Sequence, residues 1–357
     1  MFGTGGHQFA KQLEDGSVNG PYGIGYGVVN SANMQCFYGL VLAKQCGVTD
    51  PEIDPAIERA SRFYGSYVNR GTIPYGEHGP GGGWESNGKM GIAALIFDRE
   101  GNSPVEKEYY AKMAAASFNQ RDSGHTGPYL NYLWAPLGAN VGGEEALTAF
   151  FQETRWMYDL ARRWDGSFEY NTYGQGDNGG PDWSGGNFQM SAAALLTYAA
   201  PLGQLHMTGK GQDSLEWLST AEVDDVKFSA NYDPTTRTTS ELLDDLDSWA
   251  PPLRRKAAFE IGDNRTAEHA TLLTTLHNMA TDPAGGNSRL GACIALGRIA
   301  DDSSASVLAG LLTDSESLVR WASADALRYL SDSAQMSVID TILAAAATTS
   351  QPLLPLD

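Results

Sequence analysis

Cysteine is scarce in this chain: 3 of 357 residues. An odd, widely spaced set (Cys36, Cys46, Cys293) builds neither a disulfide framework nor a cysteine-rich zinc site. Positive charge is scarce as well. With 24 basic residues against 43 acidic ones the net charge is −19 and the pI is near 4.6, the wrong sign for a phosphate backbone or an anionic lipid surface. Nucleic acid is therefore not an expected partner. No apolar run reaches the roughly 18 residues that a membrane helix needs, and the start MFGTGGHQFAKQ has neither a basic nor an apolar leader region. No membrane span and no signal peptide are expected, while the low lysine count, 8 against 16 arginines, leans towards an exported protein. Nucleophile elbows, P-loops and a dinucleotide fingerprint are also missing, since GIGYG at 23–27 lacks a preceding strand and a third glycine. No HExxH or HxH spacing marks a metal site, and no cofactor is assigned.

Glycine and aromatic residues are abundant, but in one part only. Of 41 glycines 34 precede residue 211, and so do 29 of the 36 aromatics; Ala, Leu, Ser and Asp dominate thereafter. Two composition regimes imply two domains, at 1–210 and 250–357, with 211–249 as a polar connector. Both halves are acidic. Residues 1–210 hold 21 acids and 14 bases (−7), leaving 22 and 10 (−12) for the rest.

The second half repeats. RRKAAFEIG from Arg254, RLGACIALG from Arg289 and RWASADALR from Arg320 superpose at spacings of 35 and 31 residues, and periods of this size indicate a solenoid. After each Arg, small or apolar residues fall on one helical face, which places Ala257, Ala292, Ala295, Ala324 and Ala326 in seams between helices. The intervening ATLLTTLHNMA and ASVLAGLLTD complete helix pairs. This arrangement resembles HEAT repeats over roughly 250–345, including the Arg near the start of the second helix.

The first half repeats more loosely, as a Gly/aromatic loop followed by an apolar helix beginning near Met34, Met90, Leu133 and Met190. Helices also precede the later loops, in PEIDPAIERASRFYGSYVN, SPVEKEYYAKMAAASFNQ and EEALTAFFQETRWMYDLARR. Helical hairpins with their Gly/aromatic loops gathered at one end are the pattern of an α/α toroid. The expected fold is thus all-α, a partial α/α toroid of helical hairpins followed by a HEAT-like α-solenoid.

The fragments DGS, GGGWESNGK, SGHTGPYLNYLWAPLGA and RWDGSFEYN, followed by HEAT-like repeats, resemble an uncharacterised bacterial family that joins a terpenoid-cyclase-like toroid to a HEAT array. That family's toroid has more hairpins than the four or so countable here, which implies that this chain lacks the first part of its barrel. The resemblance implies a fold and no reaction.

Chemistry is sought first where toroids perform it. Terpene and prenyl chemistry needs carboxylates placed for a proton or for magnesium. The available pairs, Asp224–Asp225 and Asp244–Asp245 with Asp247, sit in the connector and read as a solvated face, whereas Cys36 and Cys46 read as core residues of one apolar helix. Glycan chemistry fits the loops better, because rings stack on pyranose faces while carboxylates and amides satisfy hydroxyls. On this reading His78, His125, Glu77, Glu85 and Tyr129 are candidate catalytic residues, and Tyr75, Trp84, Asn87, Lys89, Arg121, Asp165 and Trp183 candidate substrate-binding residues. Each has a plainer role. Asp165–Gly166 is a turn former, Trp84, Trp164 and Trp183 are wedges between hairpins, His125 and His78 cap helices, and Lys89 is a buried partner for Glu77 or Glu85. His7, His206, His269 and His277 read as surface or capping residues.

Three function classes follow: a polysaccharide hydrolase or lyase, or glycan binder, working at the toroid mouth; a non-catalytic HEAT scaffold that binds a protein; and a toroid that binds a lipid or isoprenoid. The expected partners are a glycan or other small or polymeric ligand at the mouth and a protein on the HEAT face.

Overall fold

The computed structural model describes residues 29–76, 79–85, 88–120, 129–168, 191–205, 207, 210 and 217–348. Among these residues the chain forms sixteen α-helices, several short 3-10 segments and two isolated antiparallel bridges, with no extended strand. None of the helices is long and apolar enough to cross a membrane. The chain divides into two compact units, 1–230 and 231–357, and the division falls inside the polar stretch 211–249.

The first unit contains α1 (Asn30–Gln45), α2 (Ile53–Gly65), α3 (Lys89–Glu100), α4 (Pro104–Ala115), α5 (Tyr129–Val141), α6 (Glu144–Ala161), α7 (Ser191–Ala199) and α8 (Thr220–Ala230). The helices expected near Met34, Met90, Leu133 and Met190 are α1, α3, α5 and α7; those expected ahead of the later loops are α2, α4 and α6. The odd-numbered helices pack side by side in chain order, and α2, α4 and α6 lie against them as a second layer. Because α3 has helices on several sides, KMGIAALIF is apolar nearly all round and every residue from Lys89 to Phe97 is buried. Helices α3 and α5 meet backbone to backbone: a Cβ added at Gly91 would stand 2.2 Å from the Trp134 carbonyl oxygen, and one at Gly138 would stand 2.4 Å from Gly91 Cα. Phe97 stacks on Tyr110 with centroids 5.5 Å apart and meets Phe37 edge-on, giving this layer pair an aromatic centre.

Helix α8 opens on a capping box, and an ion pair ties it to α4. Ser219 N and Oγ each donate to Glu222 Oε2 at 2.8 Å, and Lys112 of α4 reaches Glu222 Oε1 at 2.9 Å. The Ser219 amide, followed by Lys112, pulls the Glu222 carboxyl down to about 2 from 4.5. A depressed carboxyl favours the folded state above its unfolded pKa, so this contribution is complete above about pH 4.5 and disappears as pH falls towards about 2. Glu222 is partly exposed, and solvent screening holds the gain to about 1 kcal/mol or less. Acid titration of thermal stability is expected to show that increment in the wild type and not in Glu222→Gln.

The second unit contains α9 (Thr239–Asp245), α10 (Pro251–Asn264), α11 (His269–Thr281), α12 (Asn287–Ile299), α13 (Ala305–Gly310), α14 (Ser317–Leu327), α15 (Asp332–Ser337) and α16 (Ile339–Thr348). Helices α10, α12 and α14 carry the three superposed segments and pack in series, with α9, α11 and α13 beside them. The recurring arginine has a shared mechanical role: each turns back to a carbonyl of the turn, or of the helix end, before its own helix. Arg254 Nη1 donates to Ser248 O at 2.6 Å, Arg289 Nε to Ala280 O at 3.1 Å, and Arg320 Nη1 to Asp314 O at 2.7 Å. Arg289 also grips the Asp314 carboxylate of the next turn, so the array is tied repeat to repeat.

Small residues line the seams as expected, with one correction. Ala257, Ala292 and Ala295 are fully buried and Ala326 nearly so, but Ala324 is exposed; Ala322 and Ser323 are the buried residues of that turn. Two positions along a helix is about 200° of rotation, so Ala324 and Ala326 cannot share one seam. Phe at position 295 is expected to overpack the seam and lower stability by about 1–3 kcal/mol, read from denaturant midpoints.

Other expectations also change. Cys46 is an exposed helix terminus and Cys36 is half-buried, so only Cys293 is a true core thiol. Asp245 is not part of a solvated face. It is buried under Tyr232 Oη at 2.8 Å and Arg237 Nε at 2.9 Å, where it braces the first helix of the array.

Candidate functional site

The Gly/aromatic loop 71–88 can be followed almost from end to end. Gly71 adopts φ +142°, where a Cβ would collide with the Gly81 carbonyl oxygen at 2.3 Å, and Thr72 and Gly81 then exchange two backbone bonds of 3.0 Å. The loop is thereby pinched into a closed turn. Its tip is held by α1: Asn30 N donates to Tyr75 O at 2.9 Å, and Asn30 Nδ2 donates to Pro74 O at 3.0 Å and Gly76 O at 3.2 Å. Tyr75, a predicted substrate-binding residue, is half-buried and takes part through its backbone.

The returning arm of the loop is held by two amides. Trp84 N and Glu85 N both donate to Gln120 Oε1, the second at 2.9 Å, and Gly88 N donates to Asn131 Oδ1. Asn131 Nδ2 in turn donates to Gln120 O at 3.1 Å. Gly88 adopts φ +69°, and a Cβ there would stand 2.3 Å from Leu130 O. One knot thus joins the loop, the end of the second hairpin and the start of α5.

Glu85 and Lys89 sit inside this knot. Glu85 is 3% exposed, and its Oε2 accepts from Met90 N at 2.7 Å and Gly91 N at 3.1 Å. A carboxylate there satisfies two orphan donors of α3 and meets the positive end of the helix. Lys89 has no exposed surface; burial pulls its ammonium down to about 8, with the Glu85 carboxylate pushing the other way. Trp84 is buried as well.

The remaining candidates are scattered. Asp165 Oδ1 accepts from Ser167 N at 3.0 Å and from Ser167 Oγ at 2.7 Å, next to Gly166 at φ +85°, and these bonds depress its carboxyl. That is the geometry of a turn. Trp164 is 94% exposed, so it is no wedge between hairpins. Glu77, His78, Asn87, Arg121, His125 and Trp183 lie outside the described residues, as does the side chain of Tyr129, whose backbone opens α5.

Gln120 and Asn131 organise the knot although neither figured among the expected residues. A signal for such residues was present: an Asn stands at or near the start of each odd-numbered helix, at Asn30, Asn87, Asn131 and Asn187. In the second unit, His277 Nε2 lies 2.9 Å from Ser304 Oγ with Asp301 nearby, which has the residue types of a nucleophilic triad. Ser304 is fully buried, so its hydroxyl meets no substrate, and the pair joins α11 to the start of α13. His269 Nε2 pairs with Ile261 O at 3.1 Å, a capping role like the one expected. No group of three or more metal-ligating side chains occurs among the described residues.

Two family models match the chain, over different stretches. The model of a domain of unknown function, DUF6288, matches residues 1–209, more than half of the chain. The chain belongs to the DUF6288 family. A HEAT-repeat model matches residues 239–328, from the start of α9 to the end of α14. No curated protein and no solved structure matches. Within the DUF6288 domain, the described part of the loop cluster is a buried polar knot that fixes three helix starts, and the HEAT repeats supply an array of stacked helix pairs.

Proposed function

We propose that the chain is a non-catalytic scaffold in which the HEAT array holds a protein partner, and that its DUF6288 domain is an arc of α/α hairpins of the terpenoid-cyclase-like toroid kind. The observation that carries the proposal is the array: helix pairs matched as HEAT repeats over 239–328 present an extended face and bring no chemistry of their own. The side-by-side packing of α1, α3, α5 and α7, with α2, α4 and α6 against them, supports the hairpin arc. Glu85, Trp84 and Asp165 have bonds and burial that serve the fold, which favours the scaffold over a glycan enzyme at the loop rim.

Site-specific photo-cross-linking in the source cells tests the proposal. A photoreactive residue at exposed positions of the array, on α10 and on α11, is expected to give discrete protein adducts, and the same residue at Arg162 in the first unit none. Absence of adducts from every array position, together with turnover of a polysaccharide by the purified chain, would replace the scaffold with an enzyme.

A further inference from the structure

Helix α7 is the last of the odd-numbered helices, and its two sides differ. Ala193, Ala194, Thr197 and Ala200 are buried, and the first two belong to one core cluster with Tyr132 of α5 and Tyr158 of α6. The opposite side is apolar as well, yet it faces water: Leu195, Tyr198, Leu202 and Leu205 are each between 48% and 65% exposed. From Ser191 to Leu205 the chain has no charged residue. A helix that is apolar all round is ordinarily enclosed, whereas among the described helices only α5 packs extensively on α7.

The exposed side has the spacing of a seam between two helices. Its four large side chains fall 3, 4 and 3 residues apart, which is the a–d–a–d rhythm of a coiled coil. The 3-10 turn Ala200–Leu202 carries the line on from the end of α7. Ser191, Ala192 and Ala199 flank the line and leave the hollows that facing side chains fill. Tyr198 is already ordered, because its ring stacks on Phe151 of α6 at 6.1 Å and meets Phe168 at 6.0 Å. Little rotamer freedom is left for a partner to remove.

The seam also matches itself. Leu195 and Leu205 stand equally far from Ala200 on either side, and so do Tyr198 and Leu202. An antiparallel copy of the same helix therefore sets Leu195 of each chain against Leu205 of the other, and Tyr198 against Leu202.

We infer that this face of α7 is a self-association surface, and that its occupant is α7 of a second copy, antiparallel about a twofold axis at the level of Ala200. Self-complementarity selects this occupant, since a twofold interface must fit its own patch. Charge selects the face. At −19 two copies repel over most of their surface, and this uncharged strip is where they approach at least cost. The seam exposes roughly a few hundred Å² of apolar surface, the extent that marks an interaction site on a soluble protein, and a contact of that size lies at the low end of specific interfaces. The dimer is accordingly concentration-dependent, and it forms whether or not the array holds a protein.

Sedimentation velocity of the full chain from about 1 to about 200 μM tests this. A monomer–dimer equilibrium is expected that shifts towards dimer with added salt, because salt screens the repulsion between acidic copies. Leu195→Glu combined with Leu202→Glu should weaken association about tenfold or more; both positions are exposed, so circular dichroism and the melting curve should stay as in the wild type. Leu160→Glu, at an exposed leucine of α6, should leave the dimer unchanged. Disulfide trapping reads the register without adding charge. With Cys36 and Cys46 replaced by serine, an equimolar mixture of Leu195→Cys and Leu205→Cys chains should form a cross-linked dimer on mild oxidation, and either chain alone should form little. A wild type that stays monomeric at every concentration overturns the inference, whatever else the face binds. A dimer untouched by the glutamates, or Leu195→Cys alone cross-linking as readily as the mixture, overturns it as well.

Discussion

Replacing Glu85 by alanine is expected to destabilise the first unit by about 3–5 kcal/mol, the scale of leaving a buried charge uncompensated. Two effects combine. The first amides of α3, at Met90 and Gly91, lose their acceptor, and the Lys89 ammonium is left buried without the carboxylate that offsets its desolvation. Glu85→Gln keeps an oxygen for the helix amides and should be milder, at about 1–2 kcal/mol. A pH series separates the two parts. Because Lys89 titrates at about 8 when folded against 10.5 unfolded, the unfolded chain holds more protons between those values and stability rises with pH there. Lys89→Met should remove that rise. Equal stability of Glu85→Ala and the wild type in urea would show that the carboxylate does not hold the start of α3.

Gly91→Ala carries the second large effect. The added methyl would stand 2.2 Å from Trp134 O and 2.5 Å from Trp134 C, and both are backbone atoms that no rotamer change can move. Helices α3 and α5 must separate, opening a seam along the best-buried helix of the unit. The expected loss is about 4 kcal/mol or more, beyond ordinary overpacking. Gly39→Ala on α1, where a Cβ meets nothing within 4 Å, is the matched control and should be neutral or slightly stabilising. Denaturant midpoints of the two variants measure the difference directly.

The elements were legible in the sequence because their signals are local. Apolar periodicity located α1 to α7, and the recurring Arg with its small-residue stripe located α10, α12 and α14. The roles of polar loop residues were only partly legible, since they depend on contacts distant in sequence: Glu85 read either as a catalytic acid or as a partner of a buried Lys89, and neither reading included its bonds to the start of α3 or the grip of Gln120 on its amide. The same holds for Asp245, which local composition assigns to a solvated run but which Tyr232 and Arg237 enclose. Ala324 failed for a simpler reason, because small size identifies seam candidates and only helical phase decides between neighbours. Asp165 was the reverse case, a residue whose Asp-Gly turn chemistry was already complete in its own few residues.

Hydrogen–deuterium exchange of the full chain, with and without the partner recovered by cross-linking, is the most direct test of the claim that binding resides in the array. Protection is expected along α10, α12 and α14, with loops 71–88 and 121–131 unchanged. Protection of those loops with an unprotected array would contradict it.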